Sequence, residues 1–107
     1  MQQARDLELS IEEGKGLRVL SQALLANGQR EPALAAFEQS LSLLAERYPY
    51  QAARTKMDWG RYLVVSGMNA DRGMTLLQEA RATFRQLGAQ RDLAAVEETL
   101  QYPNGGK

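Results

Sequence analysis

Histidine and cysteine are both absent from this 107-residue chain, and proline occurs only three times. Without thiols or imidazoles there is no disulfide framework, no Cys or His zinc site, no thiol nucleophile and no histidine general base. An excess of charge is missing too: 13 basic residues stand against 13 acidic ones. That balance excludes the broad positive footprint with which proteins hold nucleic acid, so no nucleic-acid partner is expected. No apolar run approaches the roughly 20 residues needed to span a bilayer. Met1-Gln2-Gln3-Ala4-Arg5-Asp6 lacks the apolar core of a signal peptide. A reducing, cytoplasmic setting with no membrane partner is the expectation. β-Branched residues are scarce as well: Val, Ile and Thr number 9, whereas Ala, Leu, Glu, Gln, Arg, Lys and Met number 67. This bias toward helix formers runs through nearly the whole chain and predicts an all-α fold.

Helical spacing and punctuation divide the chain into five segments. Ser10-Ile11-Glu12-Glu13 has the form of a capping box. Leu17, Leu20 and Leu24 follow at helical spacing, with Ile11 and Gly14 one turn earlier, and Asn27-Gly28 ends the stripe. This predicts a first helix over about 11–26, with residues 1–8 either a separate short helix or continuous with it. Glu31-Pro32 opens a second helix over about 31–47, because proline suits a first turn whose N–H has no helical partner. Tyr48-Pro49 breaks it and starts a third over about 49–66, ended by Gly67. A fourth spans about 70–87, ended by Gly88, and a fifth about 90–101. Residues 1–101 are expected to form one domain and residues 102–107 a flexible tail.

The order helix, glycine turn, helix occurs twice. Gly28 and Gly67 are 39 residues apart; Ala33 and Gly73, and Ser40 and Ala80, are 40 apart. A fixed period of this size points to a helical solenoid. Ser21 and Gly60 are small residues midway along each first helix, and Ala33 and Gly73 are small near the start of each second helix. Each such pair is expected to meet at a close crossing, with Leu20 beside Phe37 and Trp59 beside Leu77 filling the adjacent space.

The series Leu17, Leu20-Ser21, Leu24, Gly28, Ala33, Phe37, Ser40, then Trp59-Gly60, Leu63, Gly67, Gly73, Leu77, Ala80, resembles the tetratricopeptide repeat family over about residues 14–88. Three departures accompany the likeness: a period of about 40 rather than the family's usual 34, leucine in place of the first-helix aromatics, and one extra residue near Asn69-Ala70-Asp71-Arg72. Longer repeats of this type are similar to C-terminal arrays of bacterial signalling ATPases, cyclase-linked proteins and MalT-type regulators. The resemblance implies a right-handed α-superhelix of two helix pairs plus a terminal helix, working as an adaptor or regulatory segment. It also implies that the first helix of each pair lines a concave groove. Groove residues would then be Lys15, Arg18, Gln22 and Leu25 from the first helix, and Arg54, Met57, Asp58, Arg61 and Val64 from the third. Arginine outnumbers lysine ten to three, and guanidinium forks suit carboxylates, so an acidic protein or peptide is the expected partner. The bland reading of the same arginines is a solvated surface with helix-pair salt bridges. Family members that clamp a peptide C-terminus use paired Asn with Lys and Arg, whereas Gln22 and Asp58 stand in similar places here.

Little else carries chemistry. Gly14-Lys15 lacks the preceding glycine and following hydroxyl of a phosphate loop. Adjacent carboxylates Glu12-Glu13 and Glu97-Glu98 diverge on a helix, and no loop has calcium-ligand spacing. The serines have no histidine to activate them. No catalysis, metal or cofactor is expected. Trp59 is read as core. Tyr48 and Tyr50, flanking Pro49, either form an exposed aromatic patch or pack a joint between repeats. The last helix offers Leu93, Val96 and Leu100 to a core and Gln90, Arg91, Glu97, Glu98 and Gln101 to water. At the opposite edge, Ile11 and part of the Leu17, Val19, Leu24, Leu25 surface lack an evident cover, and pairing of two copies through this edge is the alternative function.

Overall fold

A computed structural model describes the backbone of residues 2–101 and the side chains of residues 9–101. The described residues form five α-helices and no strand: α1 (Gln2–Ala26), α2 (Arg30–Leu44), α3 (Pro49–Ser66), α4 (Ala70–Leu87) and α5 (Gln90–Gln101). The expected all-α class holds, and α3, α4 and α5 have the expected bounds. The tail expected at 102–107 lies outside the described residues. None of the described helices is long and apolar enough to cross a membrane.

At the first helix the structure takes the continuous alternative, and one boundary differs from the sequence reading. α1 begins at Gln2, so Ser10 and Glu13 lie inside it rather than capping its start. Nothing between Gln2 and Leu9 breaks a helix, and these residues are mostly strong helix formers. α2 ends at Leu44, three residues earlier than expected, although Ala45 keeps helical dihedrals (φ −52°, ψ −46°) and its amide still donates to the Leu41 carbonyl. The Tyr48 amide donates to the Leu44 carbonyl at 3.0 Å and closes that turn.

The chain divides into two compact units, residues 1–55 and 56–107, with the division inside α3. In the first, α1 packs along α2. The approach is close at Gly14, where a Cβ atom would lie 2.6 Å from the Leu44 side chain. A chain of hydroxyls joins three helices: Ser40 Oγ lies 2.7 Å from the Gly14 carbonyl oxygen and 3.1 Å from Thr55 Oγ1. A hydroxyl has one proton. Ser40 donates it to the carbonyl, so Thr55 donates to Ser40. Ser21, also fully buried, donates to the Leu17 carbonyl at 2.8 Å.

In the second unit, Gly60 of α3 meets Gly73 of α4. A Cβ on either would come within 2.8 Å of the other's carbonyl oxygen, so this crossing admits only glycine without a shift. Trp59, Leu63, Leu77, Ala80 and Phe84 fill the surrounding core, and Arg72 lies over the Trp59 ring at 4.9 Å. α5 packs on α4, with Val96 fully buried and Gln90, Arg91, Glu97 and Glu98 exposed, as its pattern predicts.

The 40-residue period is visible in burial itself. Buried, half-buried and exposed positions over residues 31–44 recur one for one over residues 71–84. Ala33, Ala36, Phe37, Ser40 and Leu44 in α2 answer to Gly73, Leu76, Leu77, Ala80 and Phe84 in α4. The first helices keep a 39-residue offset, Ser21 with Gly60 and Gly28 with Gly67. The extra residue sits between α3 and α4. After Gly28, a Schellman motif returns the Gln29 amide to the Leu24 carbonyl at 2.8 Å, and α2 starts at once. After Gly67, the Met68 amide instead donates to Ser66 Oγ at 3.3 Å, and Asn69 Oδ1 accepts from the Arg72 amide at 3.2 Å to cap α4.

Candidate interaction surface

The seven residues expected to face a partner fall into distinct environments. Arg18 is 9% exposed, and its Nη1 donates to the Gln51 backbone carbonyl of α3 at 3.2 Å. Its charged head therefore closes a helix contact inside the first unit. Lys15 is half-buried and pairs with Glu12 one turn away at 3.5 Å. Arg54 is half-buried, with Nη1 3.4 Å from the Tyr50 hydroxyl. Met57 is 5% exposed and belongs to the core. Asp58 is half-buried; Gln22 and Arg61 are exposed, and Arg61 Nε donates to Thr99 Oγ1 at 3.2 Å. Gln22 and Arg61 stand 39 residues apart, at the same register on the two first helices. Trp59 is 6% exposed, as a core residue should be. Tyr48 and Tyr50 are half-buried.

The surface of α1 sets it apart from the other helices. Val19 is 66% exposed and Leu20 47%, whereas Phe37 is fully buried. Gly16 is exposed, with nothing within 4 Å of where its Cβ would stand. Gly16, Val19, Leu20 and Ala23 follow one another at i, i+3, i+4 and i+7 and share one side of the helix. From Gly16 to Ala26 every exposed residue is uncharged, the one charge in that stretch being the inward Arg18. By contrast, the exposed side of α4 carries Asp71, Arg72, Glu79 and Arg85.

The 39-residue offset identifies the counterparts of this face in α3: Ala52 for Glu13, Thr55 for Gly16, Trp59 for Leu20 and Tyr62 for Ala23. Ala52, Thr55 and Trp59 are buried and Tyr62 is half-buried. Thr55 is covered by Ser40 of α2 through the hydroxyl contact. The helix face that is closed in α3 is thus open in α1. Sequence reasoning flagged Val19 within this edge but placed Leu20 inside; the sign that separates them is the 39-residue alignment read with the absence of charge.

No protein-family model, curated protein or solved structure matches this chain.

Proposed function

We propose that the chain is a protein–protein interaction module of tetratricopeptide-like helix pairs, an adaptor or regulatory segment rather than an enzyme, and that the open face of α1 receives a helix of its partner. One observation carries this reading: position 55 of α3 is closed by a helix, and its counterpart at position 16 is exposed, with the exposed Val19, Leu20 and Ala23 following it on the same side. Apolar side chains such as Val19 and Leu20 gain roughly 1.5–3 kcal/mol each on full burial, which a docking helix supplies in part. The glycine lets a partner backbone come close, as Ser40 comes close to Thr55.

A helix-stabilised peptide with the α2 sequence, residues 30–47, is the probe, because α2 covers the equivalent position. Titrated into the isotope-labelled chain, it should shift the amide resonances of Gly16, Val19, Leu20 and Ala23 first. Shifts confined to other helices would contradict the reading. A second reading rests on the exposed guanidinium of Arg61: it contacts an acidic partner segment. Arg61→Glu should then abolish capture of a glutamate-rich peptide that the parent chain retains; equal capture by both would remove this reading.

A further inference from the structure

We propose that the partner seated on α1 is a second copy of this chain, bound antiparallel across a two-fold axis, with Leu20 of each copy over Gly16 of the other. This rests on the α1-docking reading above and names its occupant. A two-fold interface brings a patch against itself. Any charge near the axis then meets its own like charge, which is why charged faces pair poorly with themselves. On either side of that axis the exposed residues Gly16, Val19 and Leu20 are uncharged, while Glu13, on the same face one turn earlier, falls opposite Ala23 of the other copy and about 15 Å along the helix from its own equivalent. The chain as a whole has formal net charge +0, so two copies approach without mutual repulsion.

Shape agrees with charge. Leu20 stands proud by 47% exposure, and Gly16, one turn away on the same side, leaves open space. An antiparallel pair whose axis passes at the level of residue 18 sets each leucine into the space above the other copy's glycine, the knob-and-hole relation of packed helices. Val19, at 66% exposure, lies beside the axis and meets its own equivalent. α5 packs on α4 with Gln90, Arg91, Glu97 and Glu98 exposed, so its outer side is polar where that of α1 is apolar.

Sedimentation equilibrium on the full chain, from low to several hundred micromolar, tests this directly. The parent should pass from monomer to dimer with concentration. Val19→Glu with Leu20→Glu should stay monomeric with unchanged helix content, while Val65→Glu, at another exposed apolar site, should dimerise like the parent. Because the chain has no cysteine, single introduced thiols report the geometry. Val19→Cys should form an interchain disulfide on mild oxidation. Ala26→Cys should not, since antiparallel copies hold these positions about 24 Å apart along the axis.

A dimer unaffected by the double Glu variant, or disulfides at 26 and not at 19, would overturn the proposal. So would a monomeric parent, and an apolar-surface dye then separates the two levels of the argument. Dye binding lost in Leu20→Glu leaves the docking reading standing without the second copy; no dye binding by the parent removes both.

Discussion

α1 and α3 hold the same place in two helix pairs, yet α1 shows Leu20 to solvent where α3 buries Trp59, and leaves Gly16 open where α3 buries Thr55. Their partner helices do not differ in this way: α2 and α4 bury the same register position for position. The buried register follows from helix geometry and recurs with the period. Exposure of the remaining face follows from whether another helix lies on it. The chemistry inside the register is free to vary. The first pair uses a hydroxyl chain at Ser40 and the second uses Ala80 at the same position; the first buries Ser21 and Ala33 at the positions where the second brings two glycines together.

The largest test of that comparison is the glycine crossing. Gly60→Leu places a side chain against the Gly73 carbonyl and should lower unfolding free energy by about 3 kcal/mol or more, read by urea denaturation. An unchanged midpoint would mean the second pair is not built on this contact. Next is the hydroxyl chain. Ser40→Ala leaves the Thr55 hydroxyl buried without its acceptor and should cost about 1–2 kcal/mol. Adding Thr55→Val should recover part of that loss, since the second pair packs with alanine at position 80; a double variant worse than the single one would break the equivalence.

Smaller effects separate open from closed positions. Gly16→Ala, measured where the chain is monomeric, should stabilise by about 0.5–1 kcal/mol, because an open helical glycine only adds backbone freedom to the unfolded chain. Destabilisation there would show that something covers α1 within its own chain. Of similar size is Arg72→Ala, which removes the cation over Trp59 and should cost about 0.5–1 kcal/mol at this exposed site. The first pair has Leu20 and Pro32 at the corresponding positions, so no analogous term exists there.

Much of the fold was legible because glycines and prolines punctuate it. Gly28, Gly67 and Gly88 have φ of 75°, 73° and 72°, the left-handed ends their sequence context announces. Small residues at matched spacing foretold the Gly60–Gly73 contact. The start of α1 was legible only as two alternatives, a separate short helix or a continuous one: a Ser-x-x-Glu box caps a helix only where the preceding residues leave the helical region, and here they do not. The faces of α1 were equally ambiguous. Its apolar residues surround much of the helix, so periodicity alone assigns Leu20 and Arg18 to either side. Arg18 points inward because a backbone carbonyl 33 residues away accepts its hydrogen bond, and no local pattern encodes that.

Thiol labelling tests the central contrast most directly. Gly16→Cys and Thr55→Cys introduce one cysteine each, at counterpart positions, into a chain that has none. At low micromolar concentration, the account predicts that the thiol at 16 reacts in the native chain as fast as in urea. The thiol at 55 should react on the order of a hundredfold more slowly, waiting on local opening. Equal native rates at the two positions would contradict it.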